Sequence, residues 1–256
     1  MSLVDSHCHL NYPGLVEDEQ GVLDRARARG VRGFLNISTR QSEWGAVVAA
    51  ADRHPDVWAA IGVHPHEADQ HSDLGISTLV EAAAHPRVIA IGECGLDYHY
   101  DKSDRAAQRD RFGAHIAAAR ELDLPLVIHT RDAEEDTAAI LRQEPGVTGV
   151  LHCFTGTRWL AEQGLALGYF VSLSGIVTFK NAKDLQEVAR MIPADRLLVE
   201  TDAPFLAPAP NRGKTCEPAF VSDTAAFVAQ LRGERPEELA EQTTANFFRL
   251  FNKAAR

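Results

Sequence analysis

Leu3-Val4-Asp5-Ser6-His7-Cys8-His9 starts as an apolar strand and finishes on two imidazoles two residues apart. Side chains alternate faces along a strand, so His7 and His9 are expected to point the same way. The pattern recurs downstream. Ile89-Ala90-Ile91-Gly92-Glu93 ends on a carboxylate, as does Leu197-Leu198-Val199-Glu200-Thr201-Asp202. Leu126-Val127-Ile128-His129 and Gly149-Val150-Leu151-His152 each end on a histidine. Four imidazoles and two carboxylates at strand ends make a ligand set for two divalent metals, which points to metal-assisted hydrolysis.

Working outward, eight apolar runs fall at about 3–8, 32–37, 57–63, 87–92, 125–129, 147–151, 169–173 and 196–200. Each is followed by a helix-like stretch. Residues 104–122 carry Phe112, Ile116 and Ala119 at i, i+4 and i+7. Residues 237–251, opened by Pro236, carry Leu239, Thr243, Phe247 and Leu250 on one stripe. The strand runs are continuously apolar rather than alternating, which fits a parallel sheet covered by helices. Eight strand–helix units in 256 residues predict an α/β fold, a (β/α)8 TIM barrel. No Gly/Ser linker, low-complexity run or abrupt change in charge interrupts the chain, so one domain over 1–256 is expected. In such barrels the chemistry sits at the carboxyl ends of the strands. The six ligand candidates lie there, on strands 1, 4, 5, 6 and 8.

The chain is 45% hydrophobic, enough for a large core, and its formal net charge of −10 argues against wrapping duplex DNA. A phosphate substrate is still compatible, because two bound divalent cations add about four positive charges where they matter. The four cysteines form no CxxC pair. Alternation turns Cys8, Cys94 and Cys153 away from the metals, as small buried hydrophobes. No secretory signal or membrane-spanning run is seen, so a reduced cytoplasmic location is expected, with no membrane association and no obligate protein partner.

Val4-Asp5-Ser6-His7-Cys8-His9-Leu10-Asn11, the stretch from Leu124 to Glu135 around His129, and Val199-Glu200-Thr201-Asp202-Ala203-Pro204 together resemble the TatD family of metal-dependent deoxyribonucleases. Gly62-Val63-His64-Pro65, Gly92-Glu93-Cys94-Gly95-Leu96-Asp97-Tyr98 and His152-Cys153-Phe154-Thr155-Gly156 follow that family's motifs in order. The resemblance spans nearly the whole chain. It implies a TIM-barrel hydrolase of the amidohydrolase type acting on phosphodiester bonds, most simply at the 3′ end of single-stranded DNA. It also implies one metal on His7, His9 and Asp202, a second on His129 and His152, Glu93 bridging them, and activity supported by Mg²⁺. The bridging role suits a carboxylate, whose two oxygens can span two ions where an imidazole nitrogen serves one. Mixed imidazole and carboxylate ligands suit Zn²⁺, Mn²⁺, Fe²⁺ or Ni²⁺ on coordination grounds.

Glu93 and Asp202 are thus the candidate catalytic residues, Asp202 to orient or deprotonate the attacking water. Glu200 shares parity with Asp202, and Asp5 with His7 and His9, so both are candidates to buttress a ligand imidazole. His64 and Arg131 should face the mouth as substrate contacts. Arg40, Lys102, Lys180, Arg212 and Lys214 also fall in loops after strands, where they would guide a polyanion. Tyr98 or Phe154 could stack a base, although core packing suits Phe154 better. The proline-rich loop 203–218 is a semi-rigid wall, and Cys216 stands in it where the family usually has asparagine. Two other readings share the ligand set: hydrolysis of an amide or ester, including aminoacyl-tRNA, and a non-catalytic assembly role.

Overall fold

The computed structural model describes residues 2–255; Met1 and Arg256, the ends of the expected domain, lie outside the described residues. Eight strands follow one another: β1 (Leu3–Cys8), β2 (Val31–Ile37), β3 (Val57–Ile61), β4 (Val88–Asp97), β5 (Leu126–Arg131), β6 (Gly149–Leu151), β7 (Phe170–Leu173) and β8 (Leu197–Val199). They pair in chain order and all in parallel. Between them run α1 (Glu19–Ala28), α2 (Trp44–Arg53), α3 (Ile76–Ala83), α4 (Arg105–Leu122), α5 (Glu134–Gln143), α6 (Arg158–Ala166) and α7 (Lys183–Met191). Two more, α8 (Val221–Arg232) and α9 (Pro236–Leu250), follow the last strand. This is the expected (β/α)8 barrel. Among the described residues, no helix is long and apolar enough to cross a membrane.

The helix ends follow local chemistry. Asp104 precedes α4 as its cap, its carboxylate accepting from Ala106 N (2.8 Å) and Ala107 N (3.3 Å). Pro236 is the first residue of α9, where its missing N–H costs nothing. The stripe Leu239, Thr243, Phe247 and Leu250 is buried. Phe247, Leu250 and Phe251 belong to one apolar cluster with Val4, Leu35 and Trp58, which fills the barrel away from the ligands. Trp58 and Phe247 lie with ring centroids 5.6 Å apart. Removing the apolar area of this plug from water is a main source of stability for the sheet that carries the site.

Two register shifts place ligands. From Asp5 to Cys8, β1 advances three residues while β2 advances two, from Phe34 to Asn36. From Ile91 to Cys94, β4 advances three while β5 advances two, from Leu126 to Ile128. Such bulges re-aim the side chains beside them. They correct the parity argument for Asp5. Its side chain lies at the barrel seam instead, accepting from Thr201 N (2.9 Å), Thr201 Oγ1 (2.6 Å) and His7 N (3.3 Å). Complete burial pushes its carboxyl up to about 8, against the pull of those donors.

The seam is narrow. Among the described residues, a single bridge closes it, Cys8 of β1 with Ala203, four residues past the end of β8. His9 N donates to Ala203 O (2.8 Å) and Asp202 N to His7 O (2.9 Å). Strand lengths also depart from the expected ones. β4 runs on to Asp97, so Glu93 sits within it and not at its end, whereas β3 stops three residues before His64.

Candidate metal centre

At the carboxyl ends of the strands the six expected ligands converge with His64. His7 Nε2 and His9 Nε2 lie 3.2 Å apart, and Asp202 Oδ1 is 3.6 and 3.4 Å from them. Glu93 divides its two oxygens. Oε2 faces His7 Nε2 at 3.5 Å, while Oε1 faces His152 Nε2 at 2.8 Å, His64 Nε2 at 3.3 Å and His129 Nδ1 at 3.4 Å. By spacing alone, three overlapping groups of possible donors come together: His7, His9 and Asp202; His7, Glu93 and His152; His64, Glu93 and His129.

The far nitrogen of each imidazole decides which lone pair faces the centre. His9 Nδ1–H donates to Ile37 O (3.0 Å), and His152 Nδ1–H to Glu200 Oε1 (3.2 Å). His129 Nε2–H donates to Asp97 Oδ2 (2.9 Å). Each leaves a bare nitrogen pointing at the carboxylates, as a metal ligand requires. His64 is the reverse. Its Nδ1 accepts from His66 N (3.0 Å), which keeps the proton of the neutral ring on Nε2. His64 therefore presents a donor to the centre.

The residues fit a divalent ion on this chemistry. Two imidazole nitrogens on one tetrahedral ion stand about 3.3 Å apart, from metal–nitrogen distances of about 2.0–2.1 Å. His7 and His9 match that spacing. Two lone pairs so close repel unless a cation or a proton lies between them. His7 Nδ1 has no hydrogen-bond partner, so the protein leaves its ring free to serve either way.

Electrostatics agree with the arrangement. Burial alone would raise the Glu93 carboxyl, but the imidazoles around it, His152 foremost, hold it well below the usual range. Burial likewise opposes ionisation of Asp202, and His9 and His7 pull its carboxyl down. His64 is driven well below the usual imidazole range by burial, which keeps it neutral.

The buttressing carboxylates are Glu200 and Asp97. Glu200 Oε1 also accepts from Cys153 N (2.7 Å), as its parity with Asp202 suggested. Asp97 is wholly buried and holds both His129 Nε2 and His66 Nε2 at 2.9 Å. Asp97 and His66 were not singled out from the sequence. Asp97 shares parity with Glu93 within the quoted motif, and that signal could have found it.

A cavity of about 820 Å³ opens over the centre, lined by Arg40, His64, Lys102 and Arg131 among others. Lys180, Arg212 and Lys214 do not line it. Cys8 Sγ and Cys94 Sγ point to the backbone carbonyls of Leu35 and Val127, as alternation requires. Cys153 departs from expectation. A left-handed φ of 41° breaks the alternation, and its side chain lines the cavity, 3.1 Å from Ser174 Oγ. The stacking expectation is corrected for Tyr98, while Phe154 packs into the core as its alternative reading had it. Phe154 is buried, and Tyr98 bonds Asp136 Oδ2 (2.6 Å) under the Arg105 guanidinium; neither lines the cavity. Tyr12, Tyr100 and Phe205 line it instead.

The family profile described as TatD related DNase matches residues 4–252. The chain is 46% identical to a protein of Escherichia coli (strain K12) named an uncharacterized metal-dependent hydrolase, YcfH, over 98% of this chain and 96% of that one. It is 41% identical to the Erwinia tasmaniensis protein named 3′-5′ ssDNA/RNA exonuclease TatD, over 98% of this chain and all (100%) of that one. The solved structure of the TatD homolog YJJV from Escherichia coli K12 superposes with a TM-score of 0.92 at 30% identity, covering 98% of each chain.

Proposed function

Because this chain belongs to the TatD-related DNase family of metal-dependent hydrolases, we propose that it is a 3′→5′ exodeoxyribonuclease acting on single-stranded DNA ends with two divalent ions. The observation that carries this reading is the division of Glu93, one oxygen toward His7 and the other toward His129 and His152. In it, His7, His9 and Asp202 would hold one ion and His129 and His152 the other, with a Glu93 oxygen available to each. When bound, the ions would acidify a water and offset charge on the phosphodiester. Mg²⁺ is the proposed activating ion, with Zn²⁺, Mn²⁺, Fe²⁺ or Ni²⁺ able to occupy the same donors.

The remaining work falls to the side chains. Asp202 directs Oδ1 at the imidazoles, which leaves Oδ2 to orient the water and take its proton. The left-handed φ of 59° at Asp202 is a strained conformation of the kind found at such positions. His64 offers its neutral Nε2–H to a phosphate oxygen, and Arg131 binds the strand at the cavity wall. The whole chain acts as one catalytic domain. A cytoplasmic site of action is supported by four free thiols.

The test is digestion of 3′- and 5′-labelled single-stranded DNA with Mg²⁺ or Mn²⁺, with EDTA and Glu93→Ala as controls. The expected result is a metal-dependent ladder shortening from the 3′ end and lost in Glu93→Ala. Intact DNA in every metal, from folded protein, rejects a nuclease and favours an ester or amide substrate such as aminoacyl-tRNA.

A further inference from the structure

Two exposed aromatic side chains line the cavity, Tyr100 (52% exposed) and Phe205 (50%). Tyr100 follows β4 and Phe205 follows β8. In an eight-stranded barrel paired in chain order, β4 and β8 lie across from each other. The two rings therefore stand on opposite walls with the metal ligands between them, and the walls differ in chemistry.

The Tyr100 wall is cationic. Arg131 lies 4.8 Å from the Tyr100 ring centroid and donates from Nη1 to its hydroxyl (3.3 Å), and Lys102 Nζ lies 5.6 Å from the same centroid. Among the described residues, neither cation has a carboxylate within 4.0 Å. Arg40, also in the cavity, is by contrast paired with Glu43 (3.2 Å) and Glu67 (3.3 Å). One ring thus holds two unpaired cations in place before any ligand arrives, which spares the entropy of ordering them. Arg131 is two residues beyond His129 on β5, about 6.6 Å along the strand. That is comparable to the spacing of successive phosphates on a single strand.

The Phe205 wall is apolar. Phe205 stands edge-on to Tyr12 (6.0 Å) and to the metal-side imidazole of His9 (6.4 Å), and Leu206, Ile176 and Phe179 continue the surface. The Leu206 carbonyl packs where a Cβ on Gly175 would lie 2.1 Å away, so the glycine lets this loop sit close.

We infer that the cavity is a two-nucleotide site: the base of the terminal nucleotide rests on Phe205, and the next phosphate up the strand binds Arg131 and Lys102 on Tyr100. This rests on the nuclease reading above and adds to it which part of the strand each wall holds. An unpaired cation pair complements a second phosphate, whereas a substrate with one phosphate would leave it unused. A base stacked on an aromatic ring is bound whatever its identity.

The test is a pair of mutant–substrate cycles read as kcat/KM with Mn²⁺. The dinucleotide TpT is compared with 5′-phosphorylated pTpT, in the wild type and in Lys102→Ala and Tyr100→Ala. TpT is also compared with an analogue lacking its 3′-terminal base, in the wild type and in Phe205→Ala. The wild type should prefer pTpT over TpT by about tenfold, and both variants should lose most of that preference. It should favour the intact terminal base by about tenfold, a preference that Phe205→Ala abolishes. If TpT is cut but neither preference exists, or each survives its substitution, the two-nucleotide site is wrong while the nuclease reading stands. A gain from a 3′-phosphate in place of a 5′-phosphate overturns the assignment of the walls. If neither dinucleotide nor a longer labelled oligothymidylate is cut in any metal, the nuclease reading falls and this inference with it.

Discussion

A metal centre built from histidines depends on residues that never touch the ion, and Asp97 is the clearest case. Its carboxylate fixes the proton of His129 on Nε2, which bares Nδ1 toward Glu93, and holds His66 by the same oxygen. Asp97→Ala should leave the fold intact by circular dichroism but weaken metal binding roughly 10- to 100-fold in a chelator competition titration. Unchanged affinity would show that Glu93 and the backbone orient His129 without it. His64 and His129 illustrate what strand-end position can and cannot convey. Both follow apolar runs, and only their hydrogen-bond partners separate donor from ligand. The partner of His64 is local, His66 N two residues on, but it is in reach only because the chain turns after Pro65. The partner of His129, Asp97, comes from the neighbouring strand, and neither contact is announced by an apolar run ending on histidine. The convergence of the six candidate residues was legible, because a parallel barrel delivers the ends of its strands to one face.

Among the elements, β4 and β5 show how tightly ligand placement is coupled to the ladder. Gly95 has φ of 123°, and a Cβ there would meet His129 O at 2.0 Å. Gly95→Ala must push β4 from β5 at the ligand itself. It should cost at least about 2 kcal/mol in chemical denaturation and abolish metal uptake, although no donor atom is changed. A stable, metal-binding Gly95→Ala would refute the coupling. Helix α4 is tied to the same face through His115, whose Nδ1–H donates to Arg111 O (2.6 Å) while Nε2 accepts from Val63 N (2.9 Å). Burial pushes this imidazole down from 6.5 to about 4. The unfolded chain takes up the proton near 6.5 and the folded one only near 4. Its contribution is therefore full above pH 6.5 and declines as pH falls to 4, by at most about 3 kcal/mol. Denaturation across that window should show a shallower pH slope in His115→Gln than in the wild type; equal slopes would exclude His115 as the source. The apolar runs announced these strands, but the bulges ahead of His7 and Glu93 did not show. A register shift is a relation between two strands, and neither sequence alone contains it.

Across the whole molecule, the ion and the fold are expected to stabilise each other. A ligand that binds only the native chain adds about 2.7 kcal/mol at a hundredfold excess over its Kd, or roughly 5–10 °C in Tm for a domain of this size. Mn²⁺ or Zn²⁺ should raise the melting temperature of metal-stripped protein by that much, and Glu93→Ala should lose most of the rise. An equal rise in the variant would place the stabilising ion elsewhere. The exposed aromatics Tyr100 and Phe205 belong to this scale too. Each sits in a loop whose sequence carries no periodic signal, and only the closed barrel sets one across from the other. The seam between β1 and β8 carries a consequence of its own. Among the described residues, the one bridge across it joins Cys8 to Ala203, and beside that bridge stand His7 and His9 from one edge and Asp202 from the other. While the chain is still on the ribosome, its histidine pair has no Asp202 to complete it. On the proposed assignment the enzyme is therefore born inert, and its full set of metal donors comes together only once its eighth strand has been synthesised and docked beside its first.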